Sequence, residues 1–190
     1  IRESAERIRA LGFFSDARVN AREGSTPDQV IVEVDVEEQP TGSLSFGGAY
    51  GTNGGFSLIA SFSESNFLGR GQKLELNFSG AEENQTYEIR FTEPALLGRD
   101  LALDLELGYR ETNNSFADYD TTIARFSPGL TFPVSESGRL RTYYKAESVE
   151  ISNYEFTGTL IDDEEDEGQL WSSSVGYTYS FDNRRTGLDP

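Results

Sequence analysis

From residue 41 onward the chain repeats one pattern, in which apolar and polar residues alternate with period two through successive segments of about ten residues. A period of two belongs to a strand with two unlike faces. Its recurrence without an intervening helical pattern restricts this part of the chain to antiparallel β architecture. Phe56, Leu58, Ala60 and Phe62 share one face, with Ser57, Ser61 and Ser63 opposite and Ile59 as the exception. Leu74, Leu76 and Phe78 oppose Glu75, Asn77 and Ser79, and Tyr87, Ile89 and Phe91 oppose Glu88, Arg90 and Thr92. The strictest run sets Leu101, Leu103, Leu105, Leu107 and Tyr109 against Asp104, Glu106 and Arg110. Ala124, Phe126, Leu130 and Phe132 share a face, residues 139–153 mix Tyr, Lys and Glu without fixing a register, and Trp171, Val175, Tyr177, Tyr179 and Phe181 lie opposite Ser, Gly and Thr. About eight strands fit between residue 41 and the end.

The first forty residues differ. Ala5, Ile8 and Leu11 recur at helical spacing among Arg and Glu, and Gly12 supplies a stop, so residues 2–11 predict a helix. Two strands follow at 17–22 and 29–37, the second carrying Val30, Val32, Val34 and Val36 on alternate positions, with a turn cluster at 23–28 between them. Pro40 and Gly42 mark a boundary, giving segments 1–40 and 41–190. The chain opens at Ile1 without an initiator Met, an apolar leader or a run of about eighteen apolar residues, and reads as an excised piece.

Composition removes most chemistry. With no Cys, no His and no Met, thiol nucleophiles, imidazole bases and thiolate or imidazole metal sites are excluded. Carboxylate chemistry and oxygen-only cation binding survive. Asp104 and Glu106 share a face as a glycosidase pair would, but a polar strand face explains them more simply. A net charge of −17, from 16 basic and 33 acidic residues, argues against a nucleic-acid partner, because phosphate binding needs cations. No enzyme and no cofactor is expected.

Alternation alone does not separate a soluble sandwich, which turns its apolar face inward, from an outer-membrane barrel, which turns it to lipid. Strand-internal charges at Glu75, Glu88, Arg90, Asp104, Glu106 and Arg110, gathered on one face with Ser and Gly, suit a hydrated lumen. Aromatic residues near strand ends, Tyr50, Phe67, Tyr109, Phe132 and Phe181, suit interfacial girdles. A barrel entered from the periplasm at residue 41 would place outer loops near 51–55, 81–85, 112–118 and 154–168. Its short inner turns would fall near 68–71, 94–99 and 133–138. The longest connection, with its acidic run at 162–167, falls outside in that scheme; it reads as a solvated loop in preference to a calcium site, since no EF-hand spacing is present.

Two stretches carry a family resemblance. The run Ile8-Arg9-Ala10-Leu11-Gly12-Phe13-Phe14-Ser15-Asp16, followed by Val30-Ile31-Val32-Glu33-Val34-Asp35-Val36, resembles the closing half of a polypeptide-transport-associated (POTRA) domain, a helix leading into two strands. The run 41–52, then Asn66-Phe67-Leu68-Gly69-Arg70-Gly71, then Thr92-Glu93-Pro94 and the terminal 182–190, is similar to the opening of the barrel in the BamA family of outer-membrane assembly factors. The resemblance implies a mainly β chain: the C-terminal part of the last POTRA domain at 1–40, and the N-terminal half of a sixteen-stranded barrel at 41–190. It implies a place in the bacterial outer membrane with the N-terminal part in the periplasm. It also implies a role in inserting client outer-membrane proteins, alongside accessory Bam lipoproteins and outer-membrane lipid.

On that reading the first barrel strand is an edge that templates an incoming client strand by β-augmentation. The pairing residues would be Gly42, Ser43, Leu44, Ser45, Phe46, Gly47, Gly48, Ala49 and Tyr50. Its glycines weaken the strand, although glycine is also common wherever barrels bend. Asn66, Phe67, Leu68, Gly69, Arg70 and Gly71 would form a periplasmic turn whose glycines take left-handed backbone positions; as a phosphate cradle the segment lacks the full glycine pattern and the following helix. A related POTRA-barrel polypeptide transporter and a soluble β-rich binding domain are the competing readings.

Overall fold

The structure, a computed structural model, describes residues 2–26, 28–51, 55–114, 119–154, 160–161 and 167–183. The chain divides into two compact units, the division falling between Gly42 and Ser43.

In the first unit α1 (Arg2–Ala10) is followed by β1 (Phe14–Glu23) and β2 (Val30–Glu38), which pair antiparallel. Gly12, at φ 74, ends the helix where the amides of Leu11 and Gly12 reach back to the carbonyls of Ile8 and Arg9. α1 packs on β1, burying Ala5 against the face that holds Ala17 and Val19. Register places Val36 opposite Ala17 and Val34 opposite Val19, so the valines of β2 continue this face, yet Val30, Val32, Val34 and Val36 remain exposed. β1 runs longer than the alternation predicts, because Phe14, Asp16 and Glu23 at its ends still pair, while β2 keeps the predicted length shifted by one residue.

The second unit is a single antiparallel sheet of eight strands, each paired to its sequence neighbours: β3 (Gly42–Gly51), β4 (Gly55–Phe67), β5 (Gln72–Ala81), β6 (Asn84–Glu93), β7 (Ala102–Asn114), β8 (Tyr119–Pro133), β9 (Gly138–Ser152) and β10 (Leu170–Phe181). The mainly β expectation and the strand number hold. Register now reaches the segment that the sequence leaves ambiguous: Tyr144 pairs with Val175, Thr142 with Tyr177 and Leu140 with Tyr179. Helical geometry, not expected beyond residue 41, occurs in two connections, as a 3-10 turn at Leu96–Gly98 and at residues 160–161. Pro128 lies inside β8 although it lacks an amide donor. The β8–β9 register is unbroken, but the ladder has no partners at residues 127 and 128, between Phe126–Ala146 and Gly129–Tyr143.

Register aligns the apolar residues in rows across the sheet. One row runs Phe78, Tyr87, Tyr109, Ala124, Ser148, Trp171. The next runs Phe62, Leu76, Ile89, Leu107, Phe126, Ala146. Beyond the Tyr109 row β7 and β8 stay paired for five more residues, to Asn114 and Tyr119.

Candidate functional site

Two surfaces carry the functional question: the broad apolar face of the sheet and the terminal strand β3.

The apolar face has no protein covering it among the described residues. Ile89, Leu107, Phe126, Trp171 and Val175 are exposed, and Leu101, Leu103 and Leu105 are only half-buried. Two shallow apolar grooves lie open on this face. One, of about 350 Å³, is lined by Tyr87, Leu107, Phe126, Ala146 and Trp171; the other, of about 310 Å³, by Leu44, Phe62, Leu76 and Phe78. A face this wide and this apolar is incompatible with water. Its height fits a bilayer. From Leu101 to Tyr109 is eight residues, about 27 Å along a strand and about 21 Å along a barrel axis at 40° tilt, near the ~25 Å apolar band of outer-membrane barrels. The rings of Phe78, Tyr87 and Tyr109 lie 5.0 and 6.1 Å apart in one row, and Trp171 ends that row; together they make an interfacial aromatic belt.

The opposite face is polar and charge-compensated. Arg90, in register with Glu75 and Glu106, lies 3.8 and 3.6 Å from their carboxylates and 3.2 Å from Glu88. Glu147 receives Lys145 at 2.8 Å and Arg125 at 2.9 Å. Asp104 accepts from the Thr92 hydroxyl at 2.9 Å and lies 3.7 Å from Arg141, whose guanidinium sits 5.0 Å over the Tyr143 ring. These charges staple β5 through β9. On β3 and β4 the same face presents Ser43, Ser45, Gly47 and Ala49, then Ser57, Ile59, Ser61 and Ser63, which carry no charge.

β3 stands at one end of the sheet order and β10 at the other. Among the described residues β3 pairs with β4 alone, and every residue from Gly42 to Gly51 is exposed. Leu44 reaches the lipid-side groove beside Phe62, and the Ser57 hydroxyl donates to the Ala49 carbonyl at 3.3 Å. Leu44, Phe46 and Tyr50 are 62, 72 and 80% exposed, against 38% for Leu76 within the sheet.

The predicted turn residues come together at the β4–β5 connection. Gly69 and Gly71 both take φ 69, as the glycine pattern predicts, and Leu68 joins them at φ 56, a left-handed position the pattern does not predict. Asn66 organises the turn: its carbonyl accepts the Gly69 amide at 2.9 Å and its Oδ1 the Gly71 amide at 2.8 Å. The acidic run at 162–167 lies outside the described residues except for Glu167, and most of the terminal 182–190 stretch also lies outside them.

Comparison with known proteins decides the family. Residues 66–190, well over half the chain, match the Omp85 superfamily domain. The chain belongs to the Omp85 superfamily. It is 26% identical over 160 residues to the outer membrane protein assembly factor BamA of Neisseria meningitidis, covering 81% of this chain and 20% of that one. It is 32% identical over 115 residues to a putative outer membrane protein assembly factor of Treponema pallidum, covering 57% of this chain and 14% of that one. The crystal structure of Haemophilus ducreyi BamA lacking POTRA domains 1–3 shares the fold, with a TM-score of 0.72 and 23% identity over all of this chain and 39% of that one. The chain thus spans about a fifth of the length of the Neisseria relative. Family membership and the uncovered apolar face make this an Omp85-superfamily chain of the bacterial outer membrane, similar to the BamA assembly factors.

Proposed function

We propose that the chain supplies the opening half of an outer-membrane insertase barrel, and that β3 is the edge on which client outer-membrane proteins begin to pair. The observation that carries this is the make-up of β3: Gly42, Gly47, Gly48 and Gly51 weaken it as a strand, and among the described residues it pairs with β4 alone. An unpaired strand edge is a template for another chain. On the polar face β3 carries Ser43, Ser45, Gly47 and Ala49 where β5 to β9 carry the residues of ion pairs, so separation of β3 from β4 breaks backbone bonds and the Ser57–Ala49 hydrogen bond. In this reading α1, β1 and β2 form the closing half of a POTRA domain in the periplasm, where accessory Bam lipoproteins dock, and the apolar face meets outer-membrane lipid. No residue acts as a catalyst.

The test is disulfide mapping in cells between single cysteines along β3, at Ser43, Ser45 and Gly47, and cysteines along a strand of a client stalled during assembly. Crosslinks that step in register along β3 support templating. Crosslinks at further cysteines placed at Thr92 or Thr131, in mid-face, with none along β3, would instead favour the transporter reading, with the polypeptide passing through the lumen.

A further inference from the structure

Two of the short connections share three residues and one geometry. Leu68-Gly69-Arg70 joins β4 to β5, and Leu97-Gly98-Arg99 joins β6 to β7. In each, leucine takes φ 56 and the glycine after it φ 69 or 70. The glycine amide donates three residues back, Gly69 to Asn66 at 2.9 Å and Gly98 to Ala95 at 2.8 Å. So does the arginine amide, Arg70 to Phe67 at 3.3 Å and Arg99 to Leu96 at 3.2 Å. A hairpin turn with both central residues left-handed is relaxed with Asn-Gly or Gly-Gly and strained with leucine. The leucines gain no burial in exchange, being 73% and 84% exposed. Neither backbone preference nor packing within the chain therefore selects leucine at these two tips. The third connection of this kind, residues 134–137, carries Ser135-Glu136-Ser137 at its tip, and its one apolar residue, Val134, directly follows the end of β8.

We propose that the Leu-Gly-Arg tips are lipid-interface anchors: each leucine enters the boundary between acyl chains and headgroups of the turn-side leaflet, and each arginine meets lipid phosphate. Three features favour lipid over a protein partner. The tips end strands whose apolar face already meets hydrocarbon, so they lie at headgroup depth. An apolar side chain followed two residues later by a guanidinium matches the polarity step of an interface. Arg99 has no ion pair among the described residues, which leaves its charge for an external anion, while the charge of Arg70 also acts on Glu93.

The inference rests on the barrel reading, and the experiment separates the two. Single cysteines at Leu68, Leu97, Glu136 and Leu105 are spin-labelled in the full-length protein, reconstituted in vesicles of phosphatidylethanolamine and phosphatidylglycerol. Collision with oxygen is then compared with collision with a water-soluble nickel chelate. Labels at 68 and 97 are expected to favour oxygen several-fold over the label at 136, at shallower depth than the label at 105. If 68 and 97 behave like 136, or are shielded from both reagents as in a protein contact, the anchor proposal fails while the barrel reading stands. A water-exposed label at 105 overturns both. As an independent arm, the L68N/L97N variant relaxes the backbone, so a mere turn would gain urea resistance in these vesicles; an anchor loses it, and a gain would refute the proposal.

Discussion

Asp16 is held between two guanidinium groups, Arg9 at 3.0 Å and Arg18 at 2.9 Å, and accepts the Ala17 amide at 2.9 Å. The Arg9 hydrogen bond first, then that of Arg18, keeps its carboxyl below the usual aspartate range. Because the folded value is lowered, the contribution to stability is full above the unfolded value of about 3.9 and is lost as pH falls through the folded one. Protection of the Ala17 amide, measured against its intrinsic exchange rate, is therefore expected to fall below about pH 4 more steeply in the parent than in D16N. At Gly176 the constraint is steric. An added Cβ would run into the Tyr143 ring, its register partner, so Gly176→Ala displaces the ring and breaks its stacking on Arg141. A loss of about 0.5–1 kcal/mol in urea titrations of the folded protein is expected, and R141Q should cancel most of it. Neither role was legible in the sequence, where Tyr143 and Gly176 are far apart and the segment around Tyr143 has no clear period.

The strands themselves were legible because each must keep one face in lipid and one in water, which writes the period into the residues. Positions freed from that demand escaped. The αL leucines at 68 and 97 break the rule that glycine fills such positions, and Pro128 breaks the rule that a central strand has none. The turn at 66–71 was recognisable from its glycines, but the side-chain bond of Asn66 to the Gly71 amide was not. N66A should cost about 1 kcal/mol, read as faster exchange at Gly71. For β3 the glycines matter collectively. Nothing lies within 4 Å of an added Cβ at Gly47, so Gly47→Ala fits without a clash. By stiffening the strand it should raise β3–β4 stability by about 0.5–1 kcal/mol and slow client insertion in a reconstituted assembly assay. Unchanged insertion with a measurably stiffer strand would count against β3 as the templating edge.

For the whole molecule the sidedness of the sheet is the testable statement. Leu105→Lys, in the middle of the apolar face, is expected to destabilise the folded protein in vesicles by about 2–4 kcal/mol, and Thr131→Lys on the polar face by close to zero. Equal costs would contradict the assignment of faces. Periodicity alone left a soluble sandwich open, because it orders residues along strands and does not say what covers them. The structure supplied that answer by leaving Leu107, Phe126 and Trp171 uncovered. The same register bears on the other end of the barrel. The β7–β8 pair continues five residues, about 16 Å, past the aromatic belt, whereas β5 ends three residues after Phe78. The outward rim is therefore lowest at the β5–β6 hairpin, whose strands end three residues beyond Phe78 and Tyr87, and it rises again at β4, which begins five residues beyond Ala60, the register partner of Phe78, so a polypeptide loop emerging there has its easiest way out over that hairpin.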